Sequence, residues 1–240
     1  MKTKEEIELQ WRPDDPQNYP GFNEPITYRT IRATDTALLT PVLKKHAKSI
    51  SGYLGSFHNS HMWDMKDAKK FVANCVNDQF PSFHYLFFIG NRLVGIGSLH
   101  SYKGSLTQVQ IVLAVFGDDL QGRGIGTTIG ATLKEIAFGV WGFEKFWWLV
   151  DATNLASVKT AQKVGLSFHH SWEDKILHAE KESGLWNAFV QDRPQDMPPG
   201  ILQGESLSYW QESRTSSLLQ AVIKGRSRKP KEKSKDTRDK

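Results

Sequence analysis

The residues best suited to do chemistry stand in two short stretches, with an apolar strand leading into each. The first is "DDLQGRGIGTTIG", residues 118–130, which sets Gly122, Gly124 and Gly126 within five positions directly after the run "QIVLAVF". Glycine loses more backbone freedom on ordering than any other residue, so three together mark a chain that turns tightly or approaches something closely. A strand entering such a turn and a helix leaving it aim several N–H groups at one spot, on the positive end of the helix dipole. That arrangement suits a diphosphate held without metal, with Arg123 adding a cation at the lip. A tight βα connection with close helix packing would use the glycines equally well. Two nucleotide motifs match only weakly. Gly117 and Gly122 have P-loop spacing, but Arg123-Gly124 follows where Lys-Ser/Thr is required. A dinucleotide fingerprint counted from Gly122 or Gly124 meets Thr127 or Ile129 in place of its third glycine.

The second stretch is "DATNLASVKTAQKVG", residues 151–165, after the buried-looking strand "FWWLV". Asn154 is placed to cap a helix, and Ser157 at its third position carries a hydroxyl into the first turn.

The elements that must position these groups can be read from periodicity. "TYRTIRA" predicts a first strand, and Thr34 or Asp35 a cap for a helix running to Ala47 with Leu38, Leu39, Val42 and Leu43 on one face. A second helix is expected from Asp64, on the spacing of Ala68, Phe71, Val72, Cys75 and Val76. "FHYLFFI", the pair Gly90-Asn91 and "RLVGIGSLH" form a hairpin signal. "TQVQIVLAVF" is a strand; Ile125, Ile129, Leu133, Ile136 and Val140 give the next helix a buried face. "FEKFWWLVDA" is a strand, "ASVKTAQKVG" a short helix closed by Gly165, and "LSFHHSW" and "LWNAFVQD" are two final strands. The order β-α-α-β-β-β-α-β-α-β-β is an α/β pattern with an antiparallel hairpin and one βαβ crossover.

With Gln121, Gly124 and Gly126 filling the form Q/R-x-x-G-x-G/A, and Asn154 and Ser157 filling a later N-x-x-S helix start, the chain resembles the GNAT superfamily of acetyl-CoA-dependent N-acetyltransferases. The resemblance covers residues 26–192. The stretch "SGYLGSFHNSHMWDMKDAKKFVANCVND" is similar to the early helices of the branch that acetylates ribosomal-protein N-termini. The resemblance implies a mixed, mostly antiparallel sheet, splayed between its fourth and fifth strands and flanked by helices on both faces. In that family the thioester lies in the splay. Backbone groups of Val115 and Phe116 would then pair with the pantetheine arm, and Gln121, Gly122, Arg123, Gly124, Ile125, Gly126 and Thr127 would hold the diphosphate. Asn154 would reach the arm, and Ser157 would sit near the sulfur as the acid for the leaving thiolate. The amine would attack acetyl-CoA directly, with no covalent enzyme intermediate.

The chain also departs from the pattern. Many relatives carry a glutamate base on the fourth strand, where this chain has only Gln108 and Gln110. Glu173, beside Asp174 in "SWEDKI", stands near the carboxylate that the N-terminal-acetylating branch places after its sixth strand; ordered water is the other candidate base. The usual Gly-Phe after the last helix is Gly165-Leu166. His169 and His170, on adjacent strand positions, are expected to face opposite ways, and His58 and His61 have no Cys or carboxylate partner nearby, so no metal site is expected.

Composition sets the remaining bounds. Residues 224–240 hold nine Lys/Arg and three Asp/Glu, a net +6; residues 1–223 hold 22 and 23, a net −1. The basic character therefore belongs to the tail, and a nucleic-acid-binding fold is not described. No run approaches the ~18 apolar residues of a membrane span, and "MKTKEEIELQ" has no secretory h-region. With one cysteine, Cys75, read as a buried small hydrophobe, a cytoplasmic location is expected. Residues 1–25 read as a proline-rich arm, 193–223 as an extension with an amphipathic helix, and 224–240 as a disordered tail. The acceptor expected is a protein N-terminus or side-chain amine. A polyamine or aminoglycoside, or an idle CoA-binding module, remain the alternatives; the tail reads first as a solvated solubility arm, with a weak tether to RNA or a ribosomal surface as the other use.

Overall fold

The computed structural model describes residues 25–46, 65–77, 82–174 and 184–197. The expected arm, the start of the second helix at Asp64, His58 and His61, most of the C-terminal extension and the basic tail lie outside the described residues.

Among the described residues, seven strands form a single sheet: β1 (Ile26–Thr30), β2 (Phe83–Ile89), β3 (Arg92–Ser101), β4 (Gln108–Val115), β5 (Lys145–Asp151), β6 (Ser167–Asp174) and β7 (Gly184–Asp192), in the order β1-β2-β3-β4-β5-β7-β6. All pairs are antiparallel except β4 with β5. The helices are α1 (Thr36–His46), α2 (Met65–Asn77), α3 (Ile125–Glu135) and α4 (Leu155–Lys163). No described helix is long and apolar enough to cross a membrane.

The parallel pair β4–β5 positions the site. Its register runs from Gln108 with Lys145 to Ile111 with Trp148 and stops there, although β4 continues to Val115 and β5 to Asp151. Beyond Ile111 and Trp148 the ladder ends, and this is the splay that the resemblance implies.

Helices cover both faces of the sheet. Leu86, Ile96 and Ala114 are cross-strand partners, and they pack in one cluster with Leu39 and Leu43 of α1 and Phe71, Val72 and Cys75 of α2. On the opposite face α3 approaches so closely that only glycine fits beneath it. A Cβ on Gly97 would lie 2.5 Å from Leu133 Cδ1, and one on Gly95 would run into Ile129. Strand alternation, with side chains pointing to opposite faces at successive residues, therefore separates Ile96 from its neighbours Gly95 and Gly97.

Local deviations from the sequence reading each have a physical cause. Asp35 does not cap α1. A 3-10 turn, Ala33–Asp35, precedes the helix, and the Asp35 carboxylate accepts from Arg32 N–H (2.8 Å) and from both Arg29 Nη atoms (2.7 Å each). The helix expected to run from Ile125 through Val140 becomes a π-helix from Ile136 to Trp141. The wider turn keeps Ile136, Ala137, Phe138, Val140 and Trp141 all buried, with Trp141 stacked on Phe83 at 4.1 Å. Val76, placed on the apolar face of α2 by spacing, is exposed. His169 and His170 do not face apart: a bulge between Phe168 and His170 interrupts the alternation, and their Nδ1 atoms lie 2.6 Å from each other.

Candidate active site

The turn from β4 to α3 has the backbone that its glycines predict. Gly117, Gly122 and Gly124 adopt φ of 109°, 73° and 85°, a region that side chains with a Cβ rarely enter. Gly124 is the N-cap of α3, and the first intrahelical bond is Thr128 N–H to Gly124 C=O, 2.9 Å. The N–H groups of Ile125, Gly126 and Thr127 therefore have no acceptor within the helix. Residues 121–124 are exposed, and a Cβ on Gly122 or Gly124 would meet nothing within 4 Å, so the space beside them is open. Buried Ile125 fixes the turn from below. Arg92 anchors the preceding loop through two hydrogen bonds to the Asp119 carboxylate, 2.8 and 2.7 Å. That bonding holds Asp119 below its ordinary pKa, and the charge of Arg123 acts in the same direction.

An open ring of N–H donors at a helix start, lined by glycine and edged by Arg123, fits a diphosphate. Acetyl-CoA carries such a group, and when bound it supplies an acetyl thioester as the acyl donor.

β4 leads from this cradle into the splay. Phe116 N–H donates to Val94 C=O (2.8 Å) and Gln108 C=O accepts from Tyr102 N–H (3.0 Å), so even-numbered positions address β3. Backbone groups alternate sides along a strand, and those of Leu113 and Val115 therefore face β5, which has already diverged. Of the two residues expected to meet the pantetheine arm, Val115 has the required orientation, while the Phe116 amide is already given to β3. Leu113, absent from the sequence reading, shares Val115's orientation. The alternation itself was the signal that could have found it.

The other wall is β5 and the start of α4. Asp151 turns the chain, accepting from Thr153 N–H (2.8 Å) and Thr153 Oγ1 (2.7 Å). Asn154 Oδ1 then caps α4 through Ser157 N–H, 3.1 Å. Ser157 Oγ accepts a hydrogen bond from Trp148 Nε1 at 3.0 Å, and Trp148 belongs to the last β4–β5 pair before the splay. The hydroxyl is thus tied, through the Trp148 indole, to the last β5 residue paired with β4 before the strands part. Trp148 reaches this position beneath α3 because residue 130 is glycine: a Cβ there would lie 2.7 Å from Trp148 Cζ3. A glycine inside a helix costs stability, and that cost was the clue to this close packing.

Glu173 is not brought to the splay by these elements. It is exposed on β6, the edge strand, which is separated from β5 by β7. Two strand spacings amount to about 10 Å. Among the described residues no three His, Cys, Asp or Glu side chains converge as a metal site.

Comparison with known proteins follows the same line. Residues 26–167 match the acetyltransferase (GNAT) domain family. A comparison with curated protein sequences gives no match. Among solved structures, the chain is similar to a ribosomal-protein-S5-alanine acetyltransferase from Vibrio fischeri, at 13% identity and a TM-score of 0.61, covering 72% of this chain and 96% of that one. It is similar to a ribosomal L7/L12 alpha-N-protein acetyltransferase in complex with coenzyme A, at 15% identity and TM-score 0.59, covering 72% and 97%. AAC(6')-Ib in complex with ribostamycin and coenzyme A is similar at 18% identity and TM-score 0.56, covering 70% and 93%. The chain belongs to the GNAT acetyltransferases, acetyl-CoA-dependent acyltransferases that act on amines.

Proposed function

We propose that the protein transfers the acetyl group of acetyl-CoA to a protein or peptide amine, an N-terminus foremost, by direct attack in a ternary complex. One observation supports the reading: Trp148, the last β5 residue paired with β4 before the strands part, hydrogen-bonds the Ser157 hydroxyl, and the opening beyond it leads along β4 to the glycine turn. In this reading residues Gln121 to Thr127 hold the diphosphate, and Val115 and Leu113 offer backbone groups to the pantetheine arm. Asn154 reaches that arm while capping α4. Ser157 donates its proton to the departing thiolate, and the Trp148 N–H on its oxygen favours that direction of donation.

The acceptor assignment rests on the early-helix resemblance, on similarity to two acetyltransferases of ribosomal proteins, and on the sheet face beside the opening. That face carries His84, Ser98, His100, Gln110 and Trp147, a polar and aromatic set. Free-thiol release with an alanine-initiated peptide, spermidine and ribostamycin tests the proposal. Turnover is expected with the peptide; turnover confined to spermidine or ribostamycin would replace it with a small-amine reading.

A further inference from the structure

The α1/α2 face of the sheet carries a row of polar side chains that neither the cofactor cradle nor Ser157 uses. His84, Ser98 and Val112 are cross-strand partners on β2, β3 and β4, and Val112 is the first β4 residue beyond the paired segment. The next row is His100 with Gln110, which faces Trp147 across the parallel pair. Ser98 Oγ lies 2.7 Å from His100 Nε2, and the two imidazoles meet edge to face at 5.2 Å between centroids. Ser98 is fully buried, His84 is nearly so, and His100 is half-buried. Polar groups inside a sheet cost stability against the valine or isoleucine that would pack there, so their presence beside the opening calls for a use.

Building on the proposed acetyl transfer, we infer that His100 is the general base that takes the proton from the acceptor amine, with Ser98 a positioning residue that fixes its ring. The fourth-strand glutamate of many relatives is Gln108 or Gln110 here, and His100 stands directly across from Gln110. An amine entering from this face arrives as an ammonium ion. One N–H bond breaks and that proton passes to the His100 imidazole. The amine lone pair then forms the C–N bond at the thioester carbonyl, and the C–S bond breaks with its electron pair on sulfur. The second nitrogen proton leaves to solvent water as the amide forms, Ser157 regains from water the proton it gave to the thiolate, and His100 releases its proton to solvent, so the net reaction frees one proton. Nothing is oxidised or reduced.

The titratable and charged groups on this face are His84 from β2, Tyr102 from β3, Lys145 and Asp151 from β5, His169 against Trp147 (5.1 Å between ring centroids) with His170 beside it from β6, His46 of α1 stacked on Phe116, and the Arg29–Asp35 pair past Leu86. Tyr102 is stacked on Trp147, Lys145 is bonded to Asp192, and Asp151 holds the turn to Thr153. From α1 and α2 the face receives Leu39, Leu43, Phe71, Val72 and Cys75.

The test uses the full chain, acetyl-CoA and an alanine-initiated tetrapeptide, with rates followed from pH 5.5 to 9.5. A free imidazole titrates near 6.5 and an α-amine near 8. The unmodified protein should gain activity as pH rises through the imidazole range. His100→Gln should lose that limb and about a hundredfold of rate at pH 6.5. The deficit should shrink above pH 9, where the amine is already neutral. Ser98→Ala should lower kcat by a smaller factor and displace the limb, with acetyl-CoA affinity unchanged in both variants as the control for folding. In the coenzyme A complex, adding the peptide should shift the His100 ring signals of labelled protein in NMR spectra. A His100→Gln rate and pH profile matching the unmodified protein would overturn the inference, as would a limb lost in Glu173→Gln but kept in His100→Gln. A peptide that leaves the His100 signals unmoved overturns it even if no acetylated product forms. Absence of product with the unmodified protein would overturn the peptide-acceptor reading itself.

Discussion

Ser157 and Trp148 are the residues on which proton donation to the leaving thiolate depends in the proposed mechanism. Their 3.0 Å contact commits the serine oxygen as an acceptor and leaves its proton for the sulfur. Ser157→Ala should lower turnover about a hundredfold, the usual worth of one proton-transfer partner. Acetyl-CoA affinity should change little, because the cradle and the Asn154 side chain remain. Removing the hydroxyl also leaves the buried Trp148 N–H without that acceptor, so a loss of about 1 to 2 kcal/mol of stability is expected. Single-turnover kinetics beside chemical denaturation separate the two effects; an unaltered rate would make Ser157 a first-turn residue and nothing more.

At the scale of elements, two contacts hold the helices where the site needs them. Gly130 lets Trp148 lie under α3, and a Cβ there would also come within 3.1 Å of Val164 Cγ2. Alanine gains roughly 1 kcal/mol of helix propensity over glycine, but overpacking a filled core costs about 1 to 3 kcal/mol. Gly130→Ala should therefore lower the unfolding midpoint and also slow turnover, since Trp148 must move. A raised midpoint would show that the helix propensity wins. The second contact is Asp35 with Arg29, which ties the start of α1 to β1. Burial alone would raise the Asp35 carboxyl, but the hydrogen bonds from Arg29 and Arg32 N–H, with their positive charge, outweigh it and hold it below its ordinary value. A depressed carboxylate stabilises the fold above the unfolded pKa, about 3.9, and that stability is lost as pH falls through the folded value. Asp35→Asn should cost about 2 kcal/mol near neutrality and flatten the acid side of the stability profile. Urea titrations at pH 7 and pH 3 measure both.

For the whole molecule, the sequence made local features legible and left the long-range ones hidden. The Gly90-Asn91 turn, the helix face of Ile125, Ile129 and Leu133, and the cradle at 122–126 rest on spacing within one segment, and all are found. The sheet order β5-β7-β6 depends on which strand finds which partner, and no single segment encodes that. The same holds for the His84–Ser98–His100 cluster, whose members lie on two strands and draw no attention separately. The π-helix at Ile136–Trp141 is imposed by packing of Phe138 and Trp141, against an unbroken helical period. The basic tail is a different case, since its 17 residues lie outside the described structure and contain no aromatic residue and no Leu, Ile, Val or Met. A charge run of this kind serves first as a solvated, solubilising arm, and a weak electrostatic tether to RNA or a ribosomal surface is the alternative. Deleting residues 224–240 should leave the unfolding midpoint and acetyl-CoA affinity unchanged, and a tether would show as less RNA recovered in pull-downs at low salt. Equal recovery at low and high salt, with and without the tail, would make it a solubility device.

The central claim is that the backbone of residues 121–127 holds the diphosphate of acetyl-CoA at the mouth of the β4–β5 opening. Titration calorimetry with acetyl-CoA, on the unmodified protein and on Gly124→Asp, addresses it most directly. Gly124 has φ of 85° and open space where its Cβ would stand, so aspartate adds strain, bulk and a negative charge at the place assigned to phosphate. Binding is predicted for the unmodified protein, with stabilisation of about 2.7 kcal/mol at a hundred times the dissociation constant. Gly124→Asp should lose about a hundredfold or more in affinity while staying folded, a change of about 2.7 kcal/mol. Equal affinity in the two proteins, or binding of ATP or NAD in preference to acetyl-CoA, would contradict the account.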